Sequence, residues 1–85
     1  MLKKELIPMA RVPLQSSVLA AVEYFPQLSA LDIVFSSGEV YRYEKVPVTI
    51  YLELTEAESK GVFFNARIRN QFSFQCLGNA GTSRA

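Results

Sequence analysis

Lys60, Phe63 and Arg67 fall within eight consecutive residues, at offsets of three and seven from the first. On a helix that spacing sets two cations on one flank with an aromatic ring beside them. Such a group meets phosphate with charge and a nucleobase with a π-face. Arg69 falls on the other flank. These four residues are the candidate nucleic-acid contacts. The competing reading is plainer: Lys60 and Arg67 solvate the helix, and Phe63 tucks under the N-terminal arm.

Catalytic chemistry finds no parts. The chain has no histidine, the commonest general base and metal ligand. Cys76 is the single cysteine and has no basic neighbour to lower its pKa. Ser59 and Lys60 are adjacent, and neighbours on a helix point about 100° apart, so they read as a helix cap and a solvated lysine. Glu53, Glu56 and Glu58 lack the loop spacing of a calcium site and read as an acidic surface. The four glycines are scattered and form no phosphate loop. The expectation is a binding protein, not an enzyme, with no metal and no cofactor.

The elements that must position the four candidates are small. Eighty-five residues make one domain, and a chain this short buries only about 60% of its unfolded surface. Apolar residues make up 49% of it, including six Phe and four Tyr. Net charge is +1, but it is segregated. From Asp32 to Glu58 six acids stand against Arg42 and Lys45, whereas Lys60, Arg67, Arg69 and Arg84 follow with no acid. A single cysteine rules out an internal disulfide and points to the cytoplasm. Met1-Leu2-Lys3-Lys4 begins like a signal peptide, but Pro8 breaks the short apolar stretch that follows. No segment approaches the ~20 apolar residues of a membrane span, so no membrane partner is expected.

Residues 1–15, with Pro8 and Pro13, read as an extended arm. Ser17 to Phe25 is a nearly continuous apolar run that suits a strand covered on both faces, ended by Pro26. Leu31, Ile33 and Phe35, then Tyr41 and Tyr43, alternate with other residues around Ser36-Ser37-Gly38, which is a hairpin. A three-residue loop with Gly38 left-handed puts Tyr41 and Tyr43 on the face of Phe35; a two-residue loop would put Arg42 and Glu44 there. The two tyrosines then read as core. A helix from about Pro47 to Thr55 follows from Ile50, Tyr51, Leu54 and Ala57. A second, capped by Ser59, runs from about Lys60 to Asn70. Its inward stripe is Gly61, Phe64, Ile68 and Phe72, Gly61 allowing close approach to the sheet. Asn65 and Arg69 border the core and read as structural hydrogen-bonding groups. Residues 73–85 form a tail, with a weak edge strand at Phe74-Gln75-Cys76-Leu77 before a frayed end from Gly78.

Ser16-Ser17, Leu19, Tyr24, Leu31-x-Ile33-x-Phe35-x-x-Gly38-x-Val40-Tyr41-x-Tyr43, Val46-Pro47, Tyr51, Ala57-x-Ser59-x-Gly61 and Phe64-Asn65-x-x-Ile68-Arg69 together resemble the KTSC domain. That family is named for its place at the C-terminus of some lysyl-tRNA synthetases. The resemblance spans residues 16–72. Glu23 stands where the family tends to have Gly, and Phe72 where it tends to have Tyr. The resemblance implies an α+β fold, a compact three-stranded antiparallel sheet followed by two short helices on one face (βββαα). It also implies association with RNA or the translation apparatus. The leading expectation is therefore a small RNA-binding or nucleic-acid-binding module. The alternative is a protein-interaction module using a sheet edge or the Phe63 surface, and a homodimer covering Phe63 stays open.

Overall fold

A computed structural model describes residues 11–79. One antiparallel sheet runs in chain order: β1 (Val12–Pro13), β2 (Leu19–Phe25), β3 (Ala30–Phe35), β4 (Glu39–Tyr43) and β5 (Phe74–Asn79). Helices α1 (Val48–Glu56) and α2 (Lys60–Arg67) lie between β4 and β5 in the chain. The α+β class and the two helices agree with the sequence reading. The sheet has five strands, not three.

Both extra strands are edges: β5 forms where a weak edge strand was expected over Phe74 to Leu77, and β1 lies in what read only as an extended arm. β1 is two residues long and includes Pro13, which has no N–H to donate and is confined to an edge. β5 is exposed at Phe74, Gln75, Cys76 and Leu77, so no face of it carries a buried stripe. It is held by β4 through Tyr43↔Phe74, Arg42↔Gln75 and Tyr41↔Cys76. The register then shifts so that Val40 pairs Gly78 and Leu77 is the extra residue of a bulge, with Gly78 at φ 107°. Gly78 and Asn79, expected to open the tail, thus belong to β5. Residues 1–10 of the expected arm and 80–85 of the expected tail lie outside the described residues.

The hairpin forms as the burial argument requires. Gly38 sits at φ 103° and donates its N–H to the Phe35 carbonyl at 2.8 Å. Ile33 then faces Tyr41 and Leu31 faces Tyr43. That shared face carries the core. Leu19, Val22, Tyr24, Leu31, Ile33 and Tyr43 meet Ile50, Tyr51 and Leu54 of α1, Phe64 of α2, and Ile68 just beyond it. The Tyr24 ring stacks on Tyr51 at 5.4 Å, and its hydroxyl donates to the buried Val46 carbonyl at 2.5 Å.

Pro47 is the N-cap of α1 and not its first helical residue, a one-residue difference from the expected start. Ser59 caps α2, its Oγ accepting from the Val62 N–H at 3.2 Å. α2 ends at Arg67, short of Asn70. The N–H groups of Ile68 and Arg69 both donate to the Phe64 carbonyl, and Asn70 takes a left-handed φ of 65°, which turns the chain out of the helix.

The sheet's other face carries a row of polar groups across β2 to β5: Glu23, Asp32, Arg42 and Gln75. Glu23 and Asp32 oppose each other directly, an unfavourable pair unless each has a cation. Each does. Arg11 bonds Glu23 at 3.1 Å, and Arg42 forks onto the buried Asp32 at 2.7 and 3.0 Å. The Asp32 hydrogen bond raises the Arg42 pKa above its ordinary value, against the opposing effect of burial. Arg42 also lies 4.8 Å over the Phe25 ring. Among the described residues no helix is long and apolar enough to cross a membrane.

Candidate functional site

The α2 group suggested by sequence is largely occupied with itself. Phe63 is half-buried and packs against the core, where an exposed ring was expected. The Arg67 guanidinium sits 5.2 Å over that ring and also pairs with Glu53 of α1 at 3.1 Å. The Lys60 ammonium bonds the Ala57 carbonyl, closing the turn between the helices. Helix α1 lies close enough to supply Glu53, a tertiary proximity that helical spacing alone does not reveal, while Ala57 is the C-cap of α1, three residues before Lys60. Lys60, Phe63 and Arg67 do share a region, but as a cross-braced helix pair. Of the three, Arg67 keeps half its side chain in solvent.

Arg69 lies elsewhere. It borders a cleft of about 840 Å³ between α2 and the helix-facing side of β3, β4 and β5. Five aromatic side chains line this cleft and touch in a closed circuit. Phe35 meets Tyr41 edge-on at 5.3 Å, and Tyr41 stacks on Phe74 at 5.0 Å with the rings 14° from parallel. Phe74 reaches Tyr43 at 5.3 Å, Tyr43 meets Phe64 at 5.8 Å, and Phe64 returns to Phe35 at 5.5 Å. Tyr43 and Phe64 are buried, Phe35 and Tyr41 are half-buried, and Phe74 is 52% exposed. The circuit therefore grades from core into solvent, with Phe74 at its exposed end.

The rim is polar, with Ser17, Ser36, Ser37 and Asn70 among its residues, but carries few charges. Glu39, at the start of β4, and Arg69 are the charged residues of the lining. Asn65 accepts from Arg69 Nη1 at 3.3 Å; both side chains are exposed where they were expected to border the core, and both line the cleft. Burial, followed by Tyr41, raises the Tyr43 pKa, and Arg69 opposes the rise. Gly61 of α2 lines the cleft with no atom within 4 Å of where a Cβ would stand. The expectation that it lets the helix approach the sheet is overturned: the space before it is open because the cleft lies there.

Sequence reasoning assigned Tyr41 to the core and left Phe74 in a tail strand. The one available signal was the hairpin register, which puts Glu39, Tyr41 and Tyr43 on one face. Cys76 is exposed on β5 opposite Tyr41. Among the described residues, no group of three or more His, Cys, Asp or Glu side chains gathers closely enough to hold a metal ion, Glu53, Glu56 and Glu58 included.

Comparison with known proteins places this geometry in context. The family model described as the KTSC domain matches residues 15–72. An uncharacterised protein of Stutzerimonas stutzeri is 46% identical over 63 residues, covering 74% of this chain and 89% of that protein. A lysine–tRNA ligase of a Nostoc species is 40% identical over 63 residues, which are 74% of this chain but only 11% of the enzyme. The crystal structure of a KTSC domain protein from Yersinia pestis superposes with a TM-score of 0.80 at 30% identity, over 85% of this chain and all of that one.

Proposed function

The chain belongs to the KTSC domain family, and from that premise we propose that it is an accessory module that binds single-stranded nucleic acid, RNA above all, at the cleft between α2 and β3 to β5. One observation carries the reading. The Tyr41 and Phe74 rings are stacked and partly exposed in a cleft that Arg69 also lines, a combination that offers a base an aromatic surface and a phosphate a cation. A duplex has no free base face to offer, so the ligand is a single strand. The occurrence of a similar segment within a lysine–tRNA ligase supports a setting in translation. A cytoplasmic location goes with that setting.

An NMR titration with a short single-stranded RNA at two salt concentrations tests this. Amide and ring shifts are expected at Tyr41, Phe74 and Arg69. The logarithm of the binding constant should fall with log salt at a slope of about −0.7 per phosphate contact, hence between about −0.7 and −2 for one to three contacts. Binding indifferent to salt, or shifts absent from the cleft, would remove the proposal. A second reading, a protein partner added at the β5 edge, has in its favour the exposed Phe74 and Leu77 on that strand. It predicts a partner that survives nuclease treatment during purification.

A further inference from the structure

Gly61 is a residue whose cost the fold itself does not explain. Glycine in a helix is less favourable than alanine because it gives up more backbone freedom on folding. Proteins keep it where φ must be positive or where another backbone comes close. Neither holds at Gly61: it lies within α2, its φ is not in the left-handed region, and nothing stands within 4 Å of the site of a Cβ. The open space is the cleft that the aromatic circuit also lines. A helical glycine facing an empty slot walled by flat rings leaves room for a flat group to reach the helix backbone.

The charges at the rim define what that group carries. Glu39 accepts hydrogen bonds and cannot donate when ionised, so it suits a ligand edge bearing an amino group. Arg69 suits an anion, and phosphate above others, because its planar fork matches phosphate oxygens. A nucleotide with an exocyclic amino group on its base has all three features: a flat ring, a donor edge and a phosphate. Among pyrimidines cytosine has the amino group, and uracil presents a carbonyl in its place.

Resting on the single-strand reading above, we infer that Gly61 opens a pocket for one amino-bearing nucleobase. The base lies against the Tyr41 and Phe74 stack, its amino edge toward Glu39 and its phosphate toward Arg69. This assigns the cleft a base preference, which the general proposal does not contain.

The test compares oligocytidylate with oligouridylate of equal length on the full chain, by NMR or fluorescence anisotropy, with the wild type, Gly61→Leu and Glu39→Ala. The wild type should bind cytidylate more tightly than uridylate, and Glu39→Ala should erase that difference. Gly61→Leu should keep the wild-type pattern of dispersed amide signals and melt no lower, because leucine is a better helix former and meets open space. It should nonetheless lose about tenfold or more in affinity for cytidylate, the worth of one stacked base. Should Gly61→Leu unfold, Gly61→Ala serves in its place, with a smaller loss expected. Equal binding of both oligomers by the wild type, or undiminished binding by the folded Gly61 variants, overturns this inference and leaves the single-strand proposal standing. No binding of either oligomer at low salt overturns both.

Discussion

Replacing Arg42 by methionine isolates the most heavily committed polar contact of the fold. The substitution keeps an unbranched apolar stem over Phe25 and removes the guanidinium from Asp32. The Asp32 side chain is 6% exposed and accepts two Arg42 bonds, at 2.7 and 3.0 Å. Breaking a buried ion pair from one side costs ~3–5 kcal/mol because the remaining charge has neither water nor a partner. Here the Arg42 side chain is 27% exposed, so water can partly replace it, and the lower end, about 3 kcal/mol, is the figure to expect. The neighbouring Glu23 gives Asp32 no help, being a like charge directly across the ladder. At ~4–8 °C per kcal/mol for a domain of this size, the melting temperature should fall by about 12–24 °C. Urea denaturation of the wild type, Arg42→Met, Asp32→Val and the double variant completes a cycle. The double variant should recover much of the loss, since apolar replacement of both partners removes the stranded charge. A single-variant cost below about 1 kcal/mol, or a coupling near zero, would show that the pair behaves as an ordinary surface bridge and refute the argument.

Two further outcomes follow from other parts of the fold. Tyr43 has its pKa raised above the ordinary 10.0 in the folded chain, so as pH climbs past that value the unfolded chain gives up the proton first. Stability intact below about pH 10 is then lost progressively above it. Between about pH 9 and pH 11 the wild type should lose stability relative to Tyr43→Phe, read from denaturation midpoints, and an unchanged difference would contradict the raised pKa. Ser59→Ala should cost ~1 kcal/mol by freeing the Val62 N–H at the start of α2, read by thermal melting against a Ser59→Asp control that keeps the cap.

The helix-facing side of the domain was open to sequence reasoning because burial decided it. Only one hairpin register keeps Arg42 and Glu44 off the face of Phe35, and that register is the one observed. Ser59 was equally plain, since a serine before a helical stripe has a specific bond to make. The edge strands were legible unevenly: β5 was expected as a weak strand over Phe74 to Leu77 without its extension to Asn79, whereas β1 is a strand because β2 offers unpaired backbone groups, a tertiary cause that leaves no apolar period in Val12-Pro13. The end of α2 was set by Asn70, whose left-handed backbone no helical spacing forbids.

The proposed binding face escaped for a deeper reason. Tyr41 and Phe74 have the residue types of a core, and in a domain this small most aromatic rings are core; what separates them is that β5 is an edge and leaves Phe74 half in water. Gly61 shows the same ambiguity. A glycine on the inward stripe of a helix fits close packing and fits an open cleft equally well in one dimension, and only the distance from its missing Cβ to the nearest atom tells the two apart. The charges misled in the opposite sense. Lys60 and Arg67 looked free because their partners, the Ala57 carbonyl and Glu53, lie across a turn that spacing within α2 does not cover. Arg69, the weakest of the four candidates by helical position, sits at the cleft because it lies two residues past the end of α2, where the chain is leaving the helix toward β5. A search confined to helical faces weighs such a residue too lightly, whereas the end of an element beside a sheet edge is where a small domain has surface left to bind with.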